Sequence, residues 1–104
     1  MFDACKEKKV YAFGANLNQN DNPSGVVLAS AIIEARPAFL KLAQQVRDGT
    51  FKGGVLLMGM QDEAIDFKIN PEHQDEIPEP LLRKIDLARQ MVKAGDIKVP
   101  KKEF

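Results

Sequence analysis

Val10-Tyr11-Ala12-Phe13-Gly14 runs, one residue later, into Asn16-Leu17-Asn18-Gln19-Asn20-Asp21-Asn22-Pro23-Ser24-Gly25, and that stretch into Val26-Val27-Leu28-Ala29. The first four residues are a β-favouring run stopped by Gly14, which reads as a mostly buried strand. The amide-rich middle is a cluster of turn formers whose side chains bond their own backbone, and it reads as a loop. The last run is again short and β-branched, and Ser30 is expected as a turn or cap before a helix over residues 31–35. Strand, polar loop and strand in close succession define a sheet with a polar rim.

Working outward, Phe2 and Cys5 share a face while Lys6, Glu7, Lys8 and Lys9 are solvated, so the start reads as the tail of a helix with Cys5 as a small buried hydrophobe. From Pro37 the spacing is helical, with Phe39, Leu42, Ala43 and Val46 forming a stripe expected to cover a sheet until Gly49 stops the helix. Val55-Leu56-Leu57-Met58 lacks alternation and is expected as a central strand covered on both faces. Ile65, Phe67 and Ile69 alternate with Asp66 and Lys68, the pattern of an edge strand with one wet face. A polar connection over residues 70–80 leads to a second amphipathic helix carrying Leu81, Ile85, Ala88 and Val92, closed by Gly95. The tail Ile97-Lys98-Val99-Pro100-Lys101-Lys102 is expected to be extended. Strands alternating with helices imply an α/β sheet, at least partly parallel, in a single domain over residues 1–104. The opening helix has no preceding strand to connect, so the sequence looks like the end of something larger.

Composition narrows the function. The 104 residues are 44% hydrophobic and 29% charged, and fifteen Lys/Arg balance fifteen Asp/Glu. A net charge of zero argues against binding driven by phosphate neutralisation, so no nucleic-acid partner is expected. One cysteine and one histidine exclude a disulfide framework and a Cys/His zinc site, and no metal or other cofactor is expected. The longest mainly apolar run, residues 26–33, is far short of the roughly 20 residues of a membrane span. The N-terminus lacks the apolar stretch of a secretion signal, so the chain as written is expected in the cytoplasm.

In open α/β sheets ligands bind beyond the carboxyl ends of strands, the place the amide-rich loop takes. Asn16, Asn18 and Gln19 each offer a paired donor and acceptor, suited to a polar, uncharged solute. The other reading is a turn whose amides satisfy one another. Ser30 could touch a ligand, although capping is its simpler role and nothing nearby makes it a nucleophile. His73 sits in an acidic loop and is read as solvent-exposed without a role. Asp62, Glu63, Asp66, Glu72, Asp75, Glu76 and Glu79 lack calcium-loop spacing and read as a solvated face. Gly53-Gly54 lacks the further glycine or Gly-Lys-Ser/Thr of a phosphate loop. The cationic excess near the C-terminus reads as solubilising charge.

Five stretches taken in order resemble the C-terminal portion of the basic membrane protein family of solute-binding lipoproteins. They are Val10-Tyr11-Ala12-Phe13-Gly14-Ala15-Asn16-Leu17-Asn18-Gln19, Val27-Leu28-Ala29-Ser30, Asp48-Gly49-Thr50-Phe51-Lys52-Gly53-Gly54, Gly59-Met60 and Ala94-Gly95-Asp96-Ile97-Lys98-Val99-Pro100. The resemblance implies a type I periplasmic-binding-protein fold, of which this chain would hold a partial three-layer Rossmann-like lobe, a hinge crossing near residues 59–64 and a C-terminal helix. It also implies an extracytoplasmic, membrane-anchored lipoprotein that passes a small solute, a purine nucleoside in characterised relatives, to the membrane subunits of an ABC-type importer. Where the family places aspartates, this sequence has Asn16 and Asn18, and the lysine that usually follows the Thr-Ser pair is absent. A hydrogen bond with a charged partner contributes roughly 1.5–3 kcal/mol against about 1 for a neutral one, so an amide grips a hydroxyl less strongly.

The expectation is therefore a non-catalytic solute-binding module, or a fragment of one, using Asn16, Asn18, Gln19 and Ser30. The alternative is a self-associating remnant, or a regulatory module of the same fold, that pairs with a second copy through its uncovered hinge strand and last helix. A small hydrolase using Ser30 or the acidic stretch is a third, less supported reading.

Overall fold

A computed structural model describes residues 1–100, so the Lys101-Lys102 end of the expected extended tail lies outside the described residues. Three strands form one mixed sheet: β1 (Ala12–Asn16), β2 (Val27–Ile33) and β3 (Ile65–Ile69), in that spatial order. β1 and β2 are parallel, with Phe13 opposite Ala29 and Gly14 opposite Ser30, and a register shift lies between Ala12 and Phe13. β3 runs antiparallel to β2, pairing Ala31 with Phe67 and Ser30 with Lys68. Parallel neighbours usually need a crossover of a dozen or more residues, commonly helical. Here the loop over residues 17–26 makes the return without a helix.

Helices α1 (Phe2–Lys8), α2 (Ala35–Arg47) and α3 (Glu79–Ala94) surround the sheet's ends, with 3₁₀ turns at Met60–Asp62 and Pro71–Glu76. Two of them stop at a left-handed residue. α1 ends as Lys9 turns into the left-handed region at φ 54°, and α3 ends on Gly95 at φ 85°, where a side chain would be strained. α3 carries Glu79 in its first turn and Lys93 in its last, matching the helix dipole. The start of α2 is tied to the sheet because the Glu34 N–H donates to the Ala64 carbonyl at 2.8 Å.

The core belongs to the central strand. Val27, Ala29 and Ile32 are buried on β2, flanked by Ala12 and Ala64. The sheet is α/β and partly parallel, as the alternation of elements predicts, its architecture is that of the partial Rossmann-like lobe that the resemblance implies, and β3 occupies the predicted edge.

Several expectations are corrected. β1 does not stop at Gly14 but passes through it to Asn16, and only Ala12 and Gly14 are buried while Phe13 is 59% exposed. Ser30 caps nothing: it lies in the middle of β2, whose ladder continues to Ile33 and delays the helix to Ala35. Cys5 is half-buried, since α1 has no buried residue. The apolar stripe of α2 covers no sheet, with Phe39 and Val46 largely exposed.

Val55-Leu56-Leu57-Met58 forms no strand, and Val55 is 92% exposed. β2 already has a neighbour on each side, and both outer strands are blunted by side chains. The Ala15 N–H donates to Gln19 Oε1 at 3.0 Å, and the Phe67 N–H donates to Asp66 Oδ1 at 2.8 Å. A β-favouring run without an open ladder to join stays irregular, because isolated strands gain little from propensity alone.

Candidate functional site

Beneath the loop that follows β1 lies a buried polar cluster. Ser30 is fully buried, Asn70 is 2% exposed and Asn20 is 4% exposed, and their polar atoms are paired. The Ser30 hydroxyl donates to Asn20 Oδ1 at 2.8 Å and accepts from the Gln19 N–H at 3.1 Å. Asn70 Nδ2 donates to the Val27 carbonyl at 2.8 Å and to the Asn20 carbonyl at 3.1 Å, while its Oδ1 caps the following turn by accepting from the Glu72 N–H at 3.0 Å. Asn20 Nδ2 reaches the Lys68 carbonyl at 3.4 Å. A cluster in which every member is satisfied fixes one loop conformation, because any slip strands a buried polar group.

The four predicted site residues divide between this cluster and its rim. Ser30 and the Gln19 backbone are part of the buried bonding, and the Gln19 side chain caps the β1 edge. Asn18 Oδ1 accepts from the Asn20 N–H at 3.2 Å but the residue is exposed. Asn16 is exposed at the carboxyl end of β1 with φ 72°, a left-handed conformation that asparagine tolerates better than most residues. The amides of Asn16 and Asn18 thus stand at the rim, while Gln19 and Ser30 hold the loop beneath them. Gly14 makes room for this arrangement: a Cβ there would sit 2.5 Å from Ser30 Oγ and 2.9 Å from Gln19 Oε1.

Sequence reasoning missed Asn20 and Asn70. Asn70 did carry a signal, since an asparagine directly before a proline at a strand end is a turn-capping pattern. His73 is also corrected: its side chain is only 13% exposed. Nδ1 faces Glu76 Oε1 at 2.9 Å, Nε2 faces the Gly25 carbonyl at 3.0 Å, and the Tyr11 ring meets the imidazole edge-on at 5.4 Å. The Tyr11 hydroxyl donates to Glu76 Oε2. Together they clip the far end of the loop to the turn after β3.

The acidic stretch is likewise more engaged than a solvated face. Lys41 Nζ bonds Asp62 at 2.8 Å, and Asp66 receives Arg89 through two bonds at 2.7 and 2.5 Å with Lys93 at 3.7 Å. The Arg89 hydrogen bond, more than offsetting burial, holds the Asp66 carboxyl at about 2, below its usual 3.8, with help from the Phe67 N–H. A depressed folded-state value means that the contribution is complete above pH 4 and is lost as the pH falls towards 2. Discounted for solvent screening at a partly exposed pair, Asp66→Asn should cost about 1 kcal/mol at pH 7. Urea melts of both proteins should therefore differ at pH 7 and converge near pH 2; equal stability at neutral pH would refute the pairing.

Between the sheet and the first half of α3 lies an apolar groove of about 330 Å³, bordered by Tyr11, Phe13, Phe67, Ile69, Leu81 and Ile85. Among the described residues no group of three or more His, Cys, Asp or Glu side chains could hold a metal ion. Among them, too, no helix is long and apolar enough to cross a membrane.

Over 96% of its length the chain superposes on a transcriptional activator of the comK gene from Bacillus halodurans, with a TM-score of 0.75 and 18% identity, covering 34% of that chain. It also superposes over 95% of its length on an ABC transporter solute-binding protein from Conexibacter woesei, with a TM-score of 0.64 and 18% identity, covering 33% of that chain. The fold is shared with a solute-binding protein. In sequence, 78 residues are 36% identical to a CD4+ T-cell-stimulating antigen of Listeria monocytogenes and, to the same degree, to its counterpart in Listeria innocua. That match takes in 74% of this chain and spans 21% of the length of each relative. No protein-family model matches the chain.

Proposed function

We propose that this chain is a small-solute-binding module of the basic membrane protein type, serving an ABC-type importer outside the cytoplasmic membrane and carrying out no catalysis. The observation that carries the reading is the pair of uncharged amides, Asn16 and Asn18, standing exposed at and just past the carboxyl end of β1, beside a loop locked from below by Ser30, Asn20 and Asn70. Such a rim matches neutral hydroxyls or base edges, and nucleosides and neutral sugars are the solute classes with that chemistry. The shared fold with an ABC solute-binding protein supports the same reading. A non-catalytic role is supported by Ser30, whose hydroxyl is sealed from solvent and donates to an amide oxygen rather than to a base.

The test is thermal unfolding in the presence of a panel of nucleosides and neutral sugars. A ligand at a hundredfold its Kd adds about 2.7 kcal/mol, which at this chain length raises Tm by roughly 10 °C or more. Asn16→Gly, which keeps the left-handed backbone, combined with Asn18→Ala should abolish that rise while leaving the ligand-free Tm within a few degrees. No shift with any member of the panel would refute the reading.

A regulatory module of the same fold is a second reading, favoured by the likeness to a transcriptional activator. The two separate on whether the membrane subunits of an importer bind the solute-loaded chain.

A further inference from the structure

Residues 52–58 join two parts of the chain without bonding to either. Among the described residues no hydrogen bond reaches their backbone: the last before them runs from the Phe51 N–H to the Gln45 carbonyl at 3.1 Å, and the next from the Gly59 N–H to Asp62 Oδ2 at 3.1 Å. The segment belongs to no helix or strand, and residues 52–57 are exposed, with Leu57 at 61%. A Cβ built at Gly53 or Gly54 would meet no atom within 4 Å. Other connections are tied down. In the loop over residues 17–26 the N–H groups of Leu17, Gln19, Asn20, Asn22, Ser24 and Gly25 are all bonded. The turn over residues 70–78 is held by the Asn70 side chain and by the His73 and Glu76 pair.

The two parts nevertheless grip each other directly. β3 is laddered to β2, the Asn70 side chain bonds the carbonyls of Val27 and Asn20, the Glu34 N–H meets the Ala64 carbonyl, and Lys41 pairs with Asp62. Each of these joins a residue before position 52 to one after position 58.

We propose that residues 52–58 are a cleavage site for an endopeptidase with an apolar specificity pocket, and that the cut chain stays folded as a non-covalent pair of pieces. Elsewhere a cut must wait for the fold to open locally, whereas here the backbone is already open. Leu56, Leu57 and Met58 supply the apolar side chain on the acyl side of the bond. The step is hydrolysis: one peptide bond breaks, one water is taken up, and a carboxylate is left on one piece and an amino group on the other. No native hydrogen bond is lost with it. What disappears is the covalent link, which had made the pairing of the two parts intramolecular. This inference does not depend on solute binding, because the rim amides lie in neither the segment nor the contacts across it.

Brief digestion of the intact protein on ice, read by mass spectrometry, tests it. Between β1 and the end of α3, the first chymotrypsin cut should fall within residues 51–59. Trypsin reads the backbone rather than the apolar side chains, and over the same span its first cut should follow Lys52 rather than Arg36, Lys41, Arg47 or Lys68. The two chymotryptic pieces should sum to the intact mass plus one water, elute together in size exclusion with the far-UV circular dichroism of the uncut chain, and separate in urea at a midpoint that falls on dilution. A first cut inside a helix, a strand or the loop over residues 17–26 would overturn the proposal. So would cuts appearing together along the whole chain, or pieces that part without denaturant.

Discussion

Asn70→Ala is expected to cost about 3–4 kcal/mol, a large part of the stability of a domain this size. The side chain is almost fully buried and serves three backbone groups at once: the carbonyls of Val27 and Asn20 and the N–H of Glu72. Alanine removes both donors and the acceptor and leaves those groups facing each other across a space with no replacement, each at about 1–3 kcal/mol. Asn70→Asp separates the contributions, since it keeps an oxygen for the Glu72 N–H but supplies no donor to the two carbonyls. Urea unfolding followed by circular dichroism should therefore rank wild type above Asn70→Asp and Asn70→Ala, with both variants low. A cost under 1 kcal/mol for the alanine variant would mean that the cluster does not hold the loop.

Gly14→Ala should be nearly as damaging, by about 2–3 kcal/mol, for a steric reason. Adding a single carbon at Gly14 brings it within 2.5 Å of Ser30 Oγ, and Ser30 is inside the sheet and committed to Asn20 and Gln19, so it cannot retreat without breaking those bonds. The tightest conflict is with the serine oxygen, the side chain of Gln19 coming second at 2.9 Å, and a double-mutant cycle separates them: Ser30→Gly costs stability alone, yet the Gly14→Ala penalty measured in that background should fall by at least half. An unchanged penalty would place the damage elsewhere. Because Gln19 is displaced in the same move, Gly14→Ala should also loosen the rim that carries Asn16 and Asn18, and it should weaken solute binding more than Asn18→Ala does.

These two expectations also mark how far the sequence could be read. The helices ending at Gly95 and near Gly49, the polar loop after the first strand and the alternating edge strand at Ile65, Phe67 and Ile69 are all legible, because each rests on a local pattern of turn chemistry or periodicity. The rim amides were legible for the same reason. Ser30 was misread as a cap because a serine between an apolar run and an alanine satisfies local capping preferences equally well; only its pairing with Gly14 on one side and Lys68 on the other makes it a mid-strand residue. His73 was misread because its partners, Tyr11 and Gly25, are remote in sequence and no local rule brings them near.

What the chain determined by itself was its local vocabulary, namely where the backbone turns and which segments favour helix or strand, together with a balance of fifteen cationic and fifteen anionic side chains. What only the tertiary structure decided was which groups share a space. Asn20 and Asn70 are fifty residues apart and ordinary in isolation, yet Asn70 bonds the Asn20 carbonyl and Asn20 accepts from Ser30, because β3 returns alongside β2. Val55-Leu56-Leu57-Met58 has strand propensity but no ladder, since a strand is stabilised by its neighbours' hydrogen bonds and side chains, and these are set by the whole sheet rather than by the run itself.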